Sequence, residues 1–217
     1  MGRYNEQKRF RERVRTFDVS ALQQLAAVAV ARKFEDILSI TKLGEGAANR
    51  VFVITFRDGF RLVARVPYPV TQPGKLVVAS EAATMTLLSS KGIPVPRIYG
   101  YCATAENPAG TEYIFMEFSQ GKELGTVWFQ MSESDRLRFV KSLVDLETRM
   151  FSIPLPASGS LYFRRDLPSA AQKIAVNPGD PEQPDSLCIG PSTSLDLWYG
   201  RRGELDVERG PCKSTTA

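Results

Sequence analysis

The chain has 217 residues, of which 43% are hydrophobic and 24% charged, with a formal net charge of +4 and no histidine. This balance is typical of a globular domain, and the lack of histidine excludes a Ser/His/Asp triad, a Cys/His dyad and a His-Glu-x-x-His zinc motif. The three cysteines form no Cys-x-x-Cys pair. We therefore predict no disulfide framework and no metal site, and the apolar runs are too short for a transmembrane segment.

The N-terminal region, residues 1–34, reads as a helical extension. A first charged helix is predicted over residues 4–17, and its cations alternate with acidic residues: Lys8, Arg9, Arg11, Arg13 and Arg15 against Glu6 and Glu12. A solvated helix face or a tail is the favoured interpretation. No recognised module accompanies these cations, so no nucleic-acid partner is expected. A second helix is predicted from Val19 to Lys33, with Ser20 as its N-cap.

The next residues alternate short apolar runs with turn signals. We predict strands over Ile37–Leu43, Arg50–Phe56 and Phe60–Val66. Gly44-Glu45-Gly46 is expected to end the first strand, and Asp58-Gly59 is a strong hairpin signal between the other two.

A helix follows over Val77–Ser90, and Gly92 ends it. The apolar segment Tyr113–Phe118 reads as a buried strand. Residues 35–120 are therefore predicted to form a twisted antiparallel sheet with one helix packed against it.

Beyond residue 120 we predict a long helix capped by Ser132, with an inner face of apolar residues: Leu137, Val140, Leu143, Val144 and Met150. Residues 175–192 are rich in Pro, Gly, Asp and Ser, which predicts an irregular loop. A short helix is expected near Trp198, Tyr199 and Leu205, and no order is expected after Gly210.

The turn after the first strand carries the first candidate site residues. Gly44, Gly46 and Val51 match the pattern Gly-x-Gly-x-x-Gly-x-Val of kinase phosphate loops, and Asn49 stands in place of the third glycine. Small residues let backbone N–H groups approach phosphate oxygens closely. A tight hairpin also favours glycine, so a purely structural role is the alternative.

A cation on the third predicted strand strengthens this interpretation. Arg65 lies among apolar residues where a kinase places its phosphate-binding lysine. Glu81 follows on the helix, flanked by alanines on a face expected to pack inward. We predict that Glu81 pairs with Arg65 and holds the cation below the Gly44–Gly46 loop. A structural ion pair, or a solvated glutamate, is the alternative.

The end of the predicted strand Tyr113–Phe118 resembles a kinase hinge. A buried strand runs there into a polar glycine turn, and the backbone of Met116, Glu117 and Phe118 would hydrogen-bond an adenine. An ordinary strand end is the alternative.

At these residues the chain resembles the aminoglycoside phosphotransferase and choline kinase-like superfamily, and within it the fungal altered inheritance of mitochondria protein 9 family. The segments that carry the resemblance are LGEGAANRVF, ARVPYPVT, ASEAAT, KGIPVPRIYGY, EYIFMEF, SGSLYF, CIGPSTS and LDVERGP. The resemblance implies an α+β fold, with a protein-kinase-like N-terminal lobe at 35–120 and a partial helical C-terminal lobe at 121–213. It also implies mitochondrial residence; without a visible presequence, cytoplasmic residence is the alternative. The glycine loop, Arg65 and the hinge segment would contact a nucleotide from one side, so we expect ATP to bind only weakly.

The chain departs from the superfamily pattern in its catalytic residues. A His-x-Asp-x-x-x-x-Asn loop should follow, yet no aspartate has an asparagine five residues later. We therefore expect no catalytic residue here, and Mg²⁺ would need the missing lobe. A truncated phosphotransferase-like protein without activity, its phosphoryl acceptor unknown, is the leading hypothesis. A degenerate nucleotide-binding module or scaffold, or an interaction protein with a basic N-terminal helix, is the alternative.

Overall fold

The computed structural model describes residues 11, 13–177 and 183–213. Of the helix predicted over residues 4–17, residues 4–10 and 12 lie outside the described residues, and residues 14–17 are not helical, so the prediction was wrong for its last turn. The helices, in chain order, are α1 (Val19–Ala29), α2 (Gly74–Ser90), α3 (Leu124–Val127), α4 (Glu133–Phe151) and α5 (Leu195–Trp198). The strands are β1 (Ile37–Glu45), β2 (Asn49–Phe56), β3 (Arg61–Pro67), β4 (Ile98–Cys102), β5 (Tyr113–Glu117), β6 (Ala157–Ser158), β7 (Ser160–Phe163), β8 (Ile174–Ala175), β9 (Leu187–Gly190) and β10 (Cys212–Lys213). The described residues also form short 3₁₀ helices at Phe34–Asp36, Trp128–Gln130, Arg164–Asp166 and Gly200–Glu204.

The first five strands form one antiparallel sheet, called the main sheet here, in the order β1-β2-β3-β5-β4. This confirms the fold predicted for residues 35–120. The Asp58-Gly59 hairpin is also confirmed: the Phe56 N–H donates to the Phe60 carbonyl at 2.8 Å, and Gly59 adopts a φ of +85°. A positive φ is unstrained only in glycine, which explains the residue at this position.

Helix α1 covers one face of the main sheet. Its Leu22 and Ala26 are fully buried and pack in one cluster with Ile54 and Phe56 of β2. The predicted cap was wrong: Asp18, not Ser20, accepts a hydrogen bond from the Ala21 N–H at 2.9 Å. Asp18 stands just outside the first turn, where its carboxylate reaches an unpaired amide.

Helix α2 lies between the opposite face of the main sheet and a second sheet, called the small sheet here. The small sheet has the strand order β7-β9-β8. The irregular loop predicted over residues 175–192 is therefore only partly right, because Leu187–Gly190 is a buried central strand. The prediction of no order after Gly210 was also wrong, since β10 pairs with β6. In both cases the partner strand is distant in sequence, and local composition does not reveal it.

Helix α4 begins as predicted, with the Ser132 hydroxyl accepting from the Asp135 N–H at 3.1 Å. Its expected inner face is exposed, however, and Leu137 keeps 55% and Val144 52% of its surface accessible. Periodicity shows which residues share a face of a helix, but it does not show what covers that face. No helix among the described residues is long and apolar enough to cross a membrane.

Candidate phosphate-binding cleft

The turn between β1 and β2 does not need its glycines for its own conformation. Strand β1 continues through Gly44, which pairs opposite Val51, so the predicted strand break at Gly44 was wrong. Neither Gly44 nor Gly46 adopts a positive φ. A Cβ on Gly46 would meet Asn49 atoms no closer than 3.7 Å, and a Cβ on Gly44 would have no described atom within 4 Å. Neither backbone conformation nor packing therefore requires glycine at these two positions, which weakens a purely structural explanation for them. Without side chains there, the backbone of the turn is accessible from outside.

The tip of this turn is anchored to the connection between β3 and α2. The Ala48 carbonyl accepts two hydrogen bonds, one from the Tyr68 N–H at 2.9 Å and one from the Thr71 hydroxyl at 2.7 Å. The Gly46 N–H closes the turn on the Asn49 carbonyl at 2.9 Å. The tip of the turn is therefore fixed to the segment that follows β3.

Arg65 lies on β3, opposite Val51 on one side and Ile114 on the other. Its guanidinium forms an ion pair with the Glu81 carboxylate of α2, which confirms the predicted contact. The two side chains are only 27% and 26% exposed. Burial lowers the pKa of the Arg65 guanidinium, but an arginine remains charged in proteins.

The ion pair and the turn share one cleft, called the turn cleft here, with a volume of about 20 Å³. It is lined by Ala48, Asn49, Arg65, Pro67, Thr71, Val77, Val78, Glu81 and Ile114. Three predicted site residues, Asn49, Arg65 and Glu81, thus lie together. Gly44, Gly46 and Val51 belong to the strands and turn above the cleft but do not line it.

The predicted hinge residues lie at the end of β5, away from the turn cleft. Met116 pairs with Val63 of β3 and Ile98 of β4. The Glu117 N–H donates to the Arg97 carbonyl at 2.8 Å, so this donor is already committed to the sheet. The Phe118 ring lies 3.9 Å from the Arg61 guanidinium. Adenine binding by this segment stays a prediction.

Known proteins resemble this chain over the same segments. The family model described as Phosphotransferase enzyme family (APH) matches residues 39–187, which run from β1 into β9. The chain belongs to the phosphotransferase enzyme family. The main sheet and α2 are the kinase-like N-terminal lobe of that family.

Several curated relatives of this phosphotransferase family member are fungal proteins. A subtelomeric hrmA-associated cluster protein of Aspergillus fumigatus is 35% identical over 80% of this chain and 33% of its own length. Proteins named altered inheritance of mitochondria protein 9, mitochondrial, are 29% identical in Yarrowia lipolytica and 28% in Saccharomyces cerevisiae, over 81% and 80% of this chain and 32% and 30% of theirs. The chain therefore spans about a third of the length of these relatives.

Sequence reasoning missed two residues that shape the turn cleft of this phosphotransferase family member. Thr71 anchors the turn, and the available signal was a hydroxyl residue in the Pro-rich connection before a helix. Tyr68 is 3% exposed, and its hydroxyl has no hydrogen-bond partner among the described residues. The guanidinium groups of Arg13 and Arg50 lie 5.6 and 5.9 Å from the centre of its ring. Arg13 is one of the N-terminal cations expected on a solvated face, and it instead contacts the domain.

The turn cleft does not have the donors that Mg²⁺ prefers. Its one carboxylate, Glu81, is committed to Arg65, and Mg²⁺ binding usually requires carboxylates together with phosphate oxygens. Within residues 11, 13–177 and 183–213, no group of three or more His, Cys, Asp or Glu side chains could hold a metal ion.

A larger polar cavity of about 440 Å³ lies beside β4 and the start of α2. Lys75, Tyr101, Arg165 and Asp166 line it, and the Tyr101 hydroxyl donates to Asp166 at 2.6 Å. It contains none of the predicted site residues.

Proposed function

We propose that this chain binds the phosphates of a nucleoside triphosphate, ATP in the first instance, at the turn cleft. The observation that carries the proposal is the Arg65–Glu81 ion pair, which lines one cleft together with Ala48 and Asn49 of the anchored turn. A structural ion pair alone would not require a bare glycine turn above it. A phosphate site requires both a fixed cation and a backbone that a ligand can approach.

The chemistry of the cleft fits an anion better than a cation. The Arg65 guanidinium can offer a planar fork to phosphate oxygens, and Glu81 limits the orientations of that fork. A volume of about 20 Å³ admits one phosphate oxygen or one water. The rest of the ligand would lie over the bare face of Gly44 and Gly46. The adenine would use backbone groups near Met116 and Phe118, because the Glu117 N–H is already engaged.

Phosphoryl transfer itself is proposed for a longer protein of this family and not for the present chain. Transfer needs a base that orients the acceptor hydroxyl and ligands that hold Mg²⁺. The chain has no histidine and no aspartate followed five residues later by asparagine. We therefore propose weak nucleotide binding without turnover, and a small-molecule acceptor for the longer protein.

Mitochondrial residence is the proposed location. The relatives from Yarrowia lipolytica and Saccharomyces cerevisiae carry the word mitochondrial in their names. Imaging the protein with a C-terminal fluorescent tag in a fungal host tests this, and a cytosolic signal would contradict it.

Nucleotide binding is tested by titrating the chain with a fluorescent ATP analogue. Arg65→Ala should weaken binding by about tenfold or more, as expected for loss of a charge-assisted hydrogen bond. Arg65→Lys should recover part of the affinity, because the charge returns without the fork. Arg57→Ala is the matched control, since Arg57 lies in the β2–β3 hairpin and bonds the Glu35 carbonyl. Equal affinity of Arg65→Ala and Arg57→Ala would refute the proposed site.

The absence of turnover is tested separately with labelled ATP, Mg²⁺ and a panel of aminoglycosides, choline-like amines and sugars. Transfer above background that Arg65→Ala abolishes would show that the chain is a working enzyme, and this part of the proposal would then be wrong.

A further inference from the structure

We infer that the small sheet is a positioning element, which clamps α2 so that Glu81 stays paired with Arg65. The inference rests on the proposed function only where it concerns ligand affinity. The packing that supports it is independent of any ligand.

Helix α2 is enclosed on both sides. Towards the main sheet, Val78 and Ala79 pack in one cluster with Ile114 of β5. The same cluster includes Tyr162 of β7, which is fully buried and donates its hydroxyl to the Pro191 carbonyl at 2.7 Å. One turn further along α2, Ala83 and Leu87 form a second cluster with small-sheet residues: Leu161 and Ile189.

Two of the four buried α2 residues in these clusters are alanines, Ala79 and Ala83, and Ala82 beside them is buried as well. Ala79, Ala82 and Ala83 are fully buried, and alanine side chains let the helix approach both sheets closely. Glu81 lies between Ala79 and Ala83 in sequence. Buried residues within one helical turn on each side therefore fix the position of its backbone. An outward swing of α2 would separate Ala83 from Ile189 and open an apolar cavity, which costs stability.

The small sheet is itself rigidly built at the point where it meets α2. A Cβ on Gly190 would lie 2.6 Å from a Leu167 methyl carbon and 2.9 Å from the Tyr162 ring. Such close packing leaves little room for the strands to shift. The position of the Glu81 carboxylate is therefore set by chain segments that lie more than 70 residues beyond it in sequence.

The test compares two isoleucine truncations. Ile189→Ala weakens the clamp, while Ile54→Ala makes an equivalent cavity in the α1 cluster, on the other face of the main sheet. Hydrogen exchange is followed across residues 77–90. Ile189→Ala should raise exchange there by about tenfold relative to Ile54→Ala, because local opening follows local contact loss. Equal exchange in the two variants would overturn the inference.

Ligand affinity supplies a second readout, which a merely structural role would not move. The ratio of the adenosine Kd to the ATP Kd reports how much the phosphates contribute. Ile189→Ala should lower this ratio to the value of Glu81→Gln, while Ile54→Ala should leave it unchanged. An unchanged ratio in Ile189→Ala would count against the clamp.

The two proposals fail in distinguishable ways. If the unmodified chain binds neither ligand, the proposed function is wrong, and hydrogen exchange alone decides on the clamp. If Ile189→Ala does not fold, the pair Ile189→Val and Ile54→Val repeats both measurements with a smaller cavity.

Discussion

Arg65 shows how a single residue type changes the chemistry expected of a kinase-like lobe. The cation is an arginine, so phosphate would be held through a planar fork and not through a point charge. The Glu81 partner is half-buried along with it. The contribution of this ion pair to the free energy of unfolding depends on this partial burial.

Glu81→Ala should lower the free energy of unfolding by about 1–3 kcal/mol, the cost of stranding a half-buried group without its partner. A fully buried pair would cost about 3–5 kcal/mol, but both side chains keep about a quarter of their surface exposed. Urea denaturation measures the change. Glu106→Ala is the control, because Glu106 is exposed and surface substitutions usually stay within about 0.5 kcal/mol. Equal midpoints for the two variants would contradict the prediction.

Asp58 predicts a dependence of stability on pH. Its pKa is lowered by a hydrogen bond from the Phe60 N–H and by the Arg32 guanidinium. A carboxyl with a depressed pKa stabilises the fold above its unfolded pKa, and this contribution is lost as pH falls through the folded pKa. The Tm difference between the wild type and Asp58→Asn should therefore shrink below about pH 4. A difference that is constant from neutral to acid pH would exclude this role.

At the scale of elements, α2 is the helix on which the site depends, and it is buried between two sheets. The main sheet supplies Arg65 and the turn, while the small sheet covers the other side of α2. A single residue, Gly159, connects β6 to β7, the first strand of the small sheet. Gly159 adopts a φ of +150° and has no space for a side chain.

Gly159→Ala should destabilise the chain by about 2–3 kcal/mol, since it combines backbone strain with a steric clash. A Cβ there would lie 2.4 Å from the Gly190 carbonyl oxygen. Thermal unfolding followed by circular dichroism measures the loss. Gly121→Ala is the matched control, because no described atom lies within 4 Å of its Cβ position. Equal unfolding temperatures for the two variants would contradict the close approach of Gly159 to the Gly190 carbonyl of β9.

At the scale of the whole molecule, the core of the described residues is built from α1, the main sheet, α2 and the small sheet, which pack in that order. Helix α1 therefore contributes to the core directly. The preceding residues also contact the domain, since Arg15 pairs with Glu112.

Leu22→Ala should cost about 2–5 kcal/mol, as for a leucine in a packed core, because Leu22 is fully buried against the main sheet. Val28→Ala on the same helix is the control, and Val28 is 76% exposed. Urea denaturation of both variants measures the difference. A small loss for Leu22→Ala would mean that α1 docks only loosely.

Much of the main sheet could be predicted because its signals are local. Asp58-Gly59 defines the hairpin between β2 and β3 through the backbone freedom of glycine. Outside the sheet, the Ser132 cap of α4 was equally local, since its hydrogen bond spans three residues. The Arg65–Glu81 pair was predictable as well, because a cation on an apolar strand needs a nearby anion. Each of these inferences needs only short-range geometry or simple charge pairing.

The tertiary structure determined which segments pack against each other. It placed Ile189 of a segment rich in turn residues against Ala83, and it left Leu137 on an exposed face although its periodicity suits a core. It also anchored the turn through Thr71, which no motif marked. By itself the sequence determined the order of the hairpin strands and of α2 in the N-terminal lobe, and the charges at the site, because these follow from neighbouring residues. Only the fold could decide burial and long-range pairing, since these depend on segments that meet in space while far apart along the chain.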